Sequence, residues 1–184
     1  MRKRVLVAVA QGTEEIEAVT VIDVLRRAGA EVTVASVEAE PLITASRGVR
    51  LLADCLIDDC RGEYDLIVLP GGMPGAERLR DCAALIERLR EQRRAGRAYA
   101  AICAAPAVAL QPHGLLAGHQ ATAHPGFIEQ LPAAQASSAR VVVDGSCITS
   151  RGPGTALEFS LALVAQLFGQ AAAEAVAAPL VVAP

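Results

Sequence analysis

The sequence predicts one α/β domain over residues 1–184, built on a mostly parallel β-sheet between helices. Three observations carry this. Short segments such as Val5–Ala10, Leu66–Leu69 and Ala98–Ile102 are apolar at every position, as strands covered on both faces must be. They alternate with longer segments whose apolar residues repeat at helical spacing. A strand, a helix and a second strand also fit between Val5 and Val37, the span of a right-handed βαβ unit.

The first strand leads into a helix over Glu14–Ala28. Thr13 is its expected cap, Glu14, Glu15 and Glu17 crowd its positive end, Arg26 and Arg27 sit at its negative end, and Gly29 stops it. Glu31–Val37 is the next strand. Leu42–Ala45 and Val49–Ala53 flank Ser46-Arg47-Gly48 as a small hairpin. Leu66–Leu69 is a buried strand ending at Pro70-Gly71-Gly72. A helix over Asp81–Ala95 places Leu85, Ile86 and Leu89 on one face and closes at Gly96. Ala98–Ile102 is a strand, and a helix is expected from Ala104 onward. Val141–Val143 and Cys147–Thr149 form a second hairpin around Asp144-Gly145. A helix over Pro153–Phe168 and a shorter one over Gln170–Ala177 complete the pattern, with no linker or repeat to divide it.

Composition narrows the function. The 184 residues are 53% hydrophobic and 3% aromatic, and 17 basic side chains nearly balance 20 acidic ones. That apolar content excludes disorder, and a net charge of -3 gives no electrostatic reason for a nucleic-acid partner. The longest stretch free of charge and strong polarity, Ala98–Leu110, contains Pro106 and is too short to span a bilayer. Met1-Arg2-Lys3-Arg4 runs straight into the first strand without the pattern of a signal peptide, so a cytoplasmic protein is expected. The five cysteines, Cys55, Cys60, Cys82, Cys103 and Cys147, include no pair at two-residue spacing. With His113, His119 and His124 the only imidazoles, no metal site is expected, and reduced thiols are the simplest reading.

Ligands of such sheets bind beyond the carboxyl ends of the strands, here after Ala10, Leu69, Ile102 and Thr149. Cys103 lies where a strand meets a helix, between small residues that permit a nucleophile elbow, and Pro106 suits a first helical turn. Helical N–H groups there favour thiolate and would lower the pKa; the alternative is a buried structural thiol. Glu17 projects onto the face of its helix that carries Val21, Val24 and Leu25. It is either a buried acid of raised pKa or a first-turn carboxylate that complements the helix dipole. Pro70-Gly71-Gly72 is either a plain turn or, with the N–H groups of Gly72 and Ala104, an oxyanion hole. His124 is a candidate base or an idle loop histidine, while His113 and His119 lie in Gly- and Pro-bearing connections and are set aside. Ser150-Arg151-Gly152-Pro153-Gly154-Thr155 lacks the lysine of a phosphate-binding loop and is read as a turn near the active edge.

Together these segments resemble the ThiJ/PfpI superfamily, in the branch of the parkinsonism-associated protein deglycase and bacterial YajL. The resemblance rests on Gln11-Gly12-Thr13-Glu14-Glu15-Ile16-Glu17-Ala18, Ser46-Arg47-Gly48-Val49, Tyr64–Gly72, Ala100–Pro106 and Thr149–Thr155, in family order. It implies a flavodoxin-like sandwich and a homodimer with the active cysteine near the subunit interface. It assigns Cys103 as a peroxide-sensitive nucleophile, Glu17 as a protonated carboxyl bonded to it, and Gly72 and Ala104 as backbone donors. His124 falls at the auxiliary histidine, and Arg27 and Arg47 at anion-holding positions, partly across the dimer. The implied activities need no metal, cofactor or glutathione. They are a glyoxalase that converts methylglyoxal to lactate, deglycation of early adducts on amino acids and proteins, and redox-regulated chaperoning or peroxide sensing. Two departures matter. Ala104 stands where the protease branch has histidine, which argues against peptidase activity, and Ala45 stands where some relatives have a further cysteine.

Overall fold

The computed structural model describes residues 2–182. Its strands are β1 (Arg4–Val9), β2 (Glu31–Ser36), β3 (Leu42–Thr44), β4 (Arg50–Leu52), β5 (Cys55–Leu56), β6 (Leu66–Leu69), β7 (Ala98–Ile102), β8 (Val141–Asp144) and β9 (Cys147–Ser150). Seven of them make one sheet in the order β5-β2-β1-β6-β7-β9-β8, parallel except for β8 against β9. The remaining two form the separate hairpin β3–β4. Both expected hairpins are therefore present, and the fully apolar strands are indeed the central ones.

The chain leaves β1 for β2 on one side and returns to β6 on the other, so the strand order reverses between β1 and β6. That reversal opens a crevice at the carboxyl ends of β1, β6 and β7, where ligand sites of open α/β sheets form. The central strands are sealed: Val5 through Val9 and every residue of β7 except Ala98 have no measurable exposure. Five helices cover the sheet: α1 (Glu15–Arg27), α2 (Gly75–Asp81), α3 (Ala83–Arg94), α4 (Ala156–Phe168) and α5 (Gln170–Ala177). Helix α1 buries Ala18, Val21, Val24 and Leu25 and packs against α4. Helix α3 buries Leu85, Ile86 and Leu89, together with Gln92, whose amide is satisfied by the carbonyls of Tyr64 and Ala98. No helix of the described residues is long and apolar enough to cross a membrane.

Several expectations change in detail. Thr13 does not cap α1: its hydroxyl accepts the Ala10 amide at 2.9 Å, and Glu14 caps the helix by accepting the Glu17 amide at 2.9 Å. The helix expected over Asp81–Ala95 is present as α3 but starts at Ala83, because Cys82 is extended (ψ 100) and Asp81 ends the separate helix α2. Gly75 begins α2 immediately after Pro74, where the run of Pro and Gly reads as loop in sequence. After Cys103 the chain makes a π-helical turn over Pro106–Leu110 rather than an α-helix, followed by a 3-10 turn. The last long helix likewise opens as a 3-10 turn at Pro153–Thr155 before α4.

Candidate active site

Cys103 stands at the carboxyl end of β7 with φ +67, one of two non-glycine residues of positive φ among those described. Such a left-handed backbone costs a side-chain-bearing residue about 1–3 kcal/mol and persists where surrounding bonds impose it. Here they do. Its N–H donates to the Ser150 carbonyl (3.0 Å) at the end of β9, and its carbonyl accepts the His124 amide (2.8 Å). The elbow is thus pinned from two sides, and Cys103 is 9% exposed.

The loop after β6 supplies the opposing wall. A Cβ on Gly71 would stand 2.6 Å from the Cβ of Cys103, and one on Gly72 (φ +87) would run into the Gly12 carbonyl and the Glu14 amide. Glycine is therefore required at both positions for this backbone to lie against its neighbours. The close approach sets the N–H groups of Gly72 and Ala104 near the Cys103 sulfur, where they favour its thiolate.

Glu17, on the first turn of α1, is fully buried in this crevice. Its Oε2 accepts the Gly71 amide at 2.8 Å. Its Oε1 is buried without a partner at ordinary hydrogen-bond geometry, although the carboxylate and the Cys103 thiol still interact. A carboxylic O–H placed on Oε1 would satisfy that atom. Burial raises the Glu17 pKa to about 7, against the opposing hydrogen bond from Gly71 and the Cys103 thiol, with the negative charge of Glu14 adding to the rise.

Cys103 departs from the sequence expectation. Burial pushes its thiol up to about 12 and the charge of Glu17 adds to this, outweighing the N–H groups of Gly72 and Ala104. The lowering expected at a strand-to-helix junction is lost because the sulfur is desolvated beside an acid. Once Glu17 takes a proton, the charge that opposes thiolate disappears and its O–H becomes a donor in the same pocket. Protonation of Glu17 therefore makes ionisation of Cys103 easier.

The structure gathers Cys103, Glu17, Gly72 and Ala104 at one point and ties the His124 backbone to it. The His124 ring is half-buried; its Nδ1 accepts the Gly126 amide at 3.1 Å and its edge packs on Phe127. Beside this ring lies an open cavity of about 270 Å³ lined also by Arg140, Arg151 and Gly152–Thr155. Arg47 is exposed on the β3–β4 turn, its guanidinium bonded to the Ser46 carbonyl at 3.1 Å. Its amide and the Ser46 hydroxyl both bond Glu15 (2.7 and 2.8 Å), which fixes the β3–β4 turn to the first turn of α1. Burial raises the Glu15 pKa, but these donors reverse the effect and hold the carboxyl below its ordinary value.

Arg27 is not brought to this point. Ten residues beyond Glu17 on α1, it lies about 15 Å further along the helix axis, paired with Asp23 at 2.6 Å. Sequence reasoning overlooked Glu15, Gly71 and Ser150 as positioning residues. Gly71 lies in the turn after β6 and Ser150 ends β9, but their bonding partners are distant in sequence.

Comparisons with known proteins identify the family. The model of the DJ-1/PfpI family matches residues 3–166. Protein DJ-1 homolog B of Arabidopsis thaliana is 51% identical over 99% of this chain, which spans 42% of that relative's length. The Parkinson disease protein 7 homolog of Danio rerio is 44% identical over 97% of each chain. A Caenorhabditis elegans relative named glutathione-independent glyoxalase DJR-1.2 is 35% identical over 94% of this chain and 92% of its own. Among solved structures, oxidized DJ-1 of Toxoplasma gondii superposes with a TM-score of 0.95 at 50% identity, over 99% of this chain and all of that one. With a family match across most of the chain, the same fold and a cysteine elbow at its switch point, the chain belongs to the DJ-1/PfpI family.

Proposed function

We propose that the protein is a cofactor-independent glyoxalase acting on methylglyoxal-like 2-oxoaldehydes, with the early adducts of such aldehydes on amino acids or proteins as related substrates. The observation that carries this reading is the convergence on one sulfur of the Gly72 and Ala104 N–H groups and a buried acid of pKa about 7. The relative that bears a glyoxalase name supports the reaction class.

The chemistry follows from the pair. Substrate entry lets the thiol proton pass to Glu17, and the Cys103 thiolate attacks the aldehyde carbon. The hemithioacetal oxygen replaces the sulfur as the charge held by the Gly72 and Ala104 N–H groups. Glu17 returns the thiol proton to that oxygen. A carboxylate again and assisted by His124, it carries the proton of that carbon to the neighbouring one while the hydroxyl proton passes to the former ketone oxygen, leaving a 2-hydroxy thioester. Water cleaves the thioester, so one aldehyde and one water give one 2-hydroxy acid and restore the thiol. Arg47 on the β3–β4 turn offers a positive charge to the developing carboxylate.

A homodimer that completes the rim belongs to this reading. Ile16 and Val19 on α1 and Val49 beside the β3–β4 turn are exposed apolar residues on elements that Glu15 ties together. A partner covering them would also bring a second Arg27 within consideration for anion binding. Lactate production from methylglyoxal by highly purified protein tests the central claim. Loss on Cys103→Ala is expected, and undiminished turnover in that variant would overturn it.

A second reading rests on the same atoms. Peroxide oxidises Cys103 to a sulfinate held by the two N–H groups and protonated Glu17, so that the protein acts as a redox sensor or redox-regulated chaperone. The oxidised state named for the Toxoplasma gondii structure favours it. Selective gain of two oxygens on Cys103 without measurable lactate production would establish it over the first.

A further inference from the structure

Far from the crevice, the sulfurs of Cys55 and Cys60 lie 3.5 Å apart, in van der Waals contact. Both cysteines are free. No other pair of cysteine sulfurs makes such a contact among the described residues. Strand β5, which carries Cys55, is the outermost strand on its side of the sheet, four positions from β7. At strand spacing this separates the pair from Cys103 by about 19 Å.

The local backbone holds the two sulfurs in place. Cys55 pairs with Ala35 of β2, and a 3-10 turn over Ile57–Asp59 folds the chain back so that Cys60 ends it. The Cys60 carbonyl is gripped by the Arg88 guanidinium from α3, and its sulfur faces the Leu56 carbonyl at 3.7 Å. A disulfide bond of about 2.05 Å needs the sulfurs to close by about 1.5 Å, a distance within reach of side-chain rotation.

We propose that Cys55 and Cys60 are a second redox centre, a dithiol that hydrogen peroxide converts to an intramolecular disulfide independently of Cys103. Cys60 is 3% exposed whereas Cys55 is only half-buried, so peroxide meets Cys55 first. The Cys55 sulfur attacks one peroxide oxygen, the O–O bond breaks, and the departing oxygen takes the thiol proton to leave as water. The Cys55 sulfenic acid is then attacked by the Cys60 sulfur. The S–O bond breaks, the S–S bond forms, and the hydroxyl leaves as a second water with the Cys60 proton. Two electrons from the two sulfurs thus reduce one peroxide to two waters.

The environment sets the pace. Burial, the Cys60 sulfur and the charges of Asp54 and Asp59 push the Cys55 thiol up to about 11. Little thiolate is present at neutral pH, so the couple answers sustained rather than brief oxidation, and faster as pH rises.

Tryptic digestion gives a direct test, because cleavage after Arg50 and Arg61 leaves Leu51–Arg61 as one peptide holding both cysteines and no other. Native protein treated with excess hydrogen peroxide at mildly alkaline pH, then unfolded with maleimide, should yield this peptide lighter by two hydrogens and unlabelled. After reduction it should take two labels. Cys103→Ala should behave identically. Full labelling of both cysteines under conditions that oxidise Cys103 completely would overturn the proposal. So would oxygen addition to one sulfur with no bond between them, or loss of the disulfide in Cys103→Ala. In Cys60→Ser, a dimedone adduct should accumulate on Cys55; its absence would overturn the assignment of Cys55 as the sulfur attacked first.

Discussion

The Gly71 amide donates to Glu17 Oε2 at 2.8 Å, which commits one carboxyl oxygen to the backbone and leaves Oε1 to carry the proton. The main-chain contact therefore decides where the acid of the site can give or take hydrogen.

Glu17→Gln keeps an acceptor for Gly71 but cannot titrate. Removal of a positioned acid–base group costs about 10²–10⁴-fold, so turnover of 2-oxoaldehydes should fall within that range. The pH dependence of kcat/KM near 7 should flatten, which steady-state rates across pH 5–9 would show.

The same substitution should alter stability in a pH-dependent way. Folding raises the Glu17 pKa from 4.5 to about 7, so its protonated form is favoured below 4.5, and that advantage is lost as pH climbs through 7. Above pH 8 the buried charge costs on the order of 3 kcal/mol, which Gln avoids. Thermal melts should therefore show Glu17→Gln gaining on the wild type between pH 5 and pH 8; parallel curves would contradict the burial argument.

At Cys103 the positive φ makes an unusual ordering of variants testable. Glycine is ordinarily less stable than alanine, but at a left-handed position the preference reverses. Cys103→Gly should exceed Cys103→Ala by about 1 kcal/mol in urea unfolding, while both lack activity.

Gly72→Ala places a methyl group on the Gly12 carbonyl and the Glu14 amide, both main-chain atoms. A loss above about 2 kcal/mol is expected, since the loop must separate from its neighbour to accept the methyl. Gly145→Ala has no atom within 4 Å of the added carbon and tests φ alone; it should cost less in the same denaturation series.

Glu15→Ala removes charge-assisted bonds to Ser46 and Arg47, each worth about 1.5–3 kcal/mol where buried. Amide exchange at Arg47 should accelerate without comparable change in β1. In the wild type, the carboxyl's lowered pKa means this tie is intact above pH 4.5 and weakens as pH falls below it.

How far the sequence discloses such a site depends on the range of the interactions. β1, β6 and β7 are legible because burial on both faces demands an apolar residue at every position. Glu17 is legible because it shares a helical face with Val21 and Val24. The break at Cys82 and the π-helical turn after Cys103 are not, since the residues there suit an ordinary helix and packing decides otherwise. The sulfur's raised pKa escaped for a related reason. A helix start argues for thiolate locally, whereas the desolvation that defeats it comes from loops remote in the chain.

The contact between Gly72 and the loop after β1 bears on how substrate is captured. Because that contact is main chain against main chain, with the Glu14 amide bonded to the Gly71 carbonyl at 2.9 Å, the two walls form one rigid cradle. In the glyoxalase proposed above, an arriving aldehyde would find its oxygen-binding donors already aimed. Encounter should follow single-step kinetics, with selectivity set by what fits through the rim and not by a closing motion.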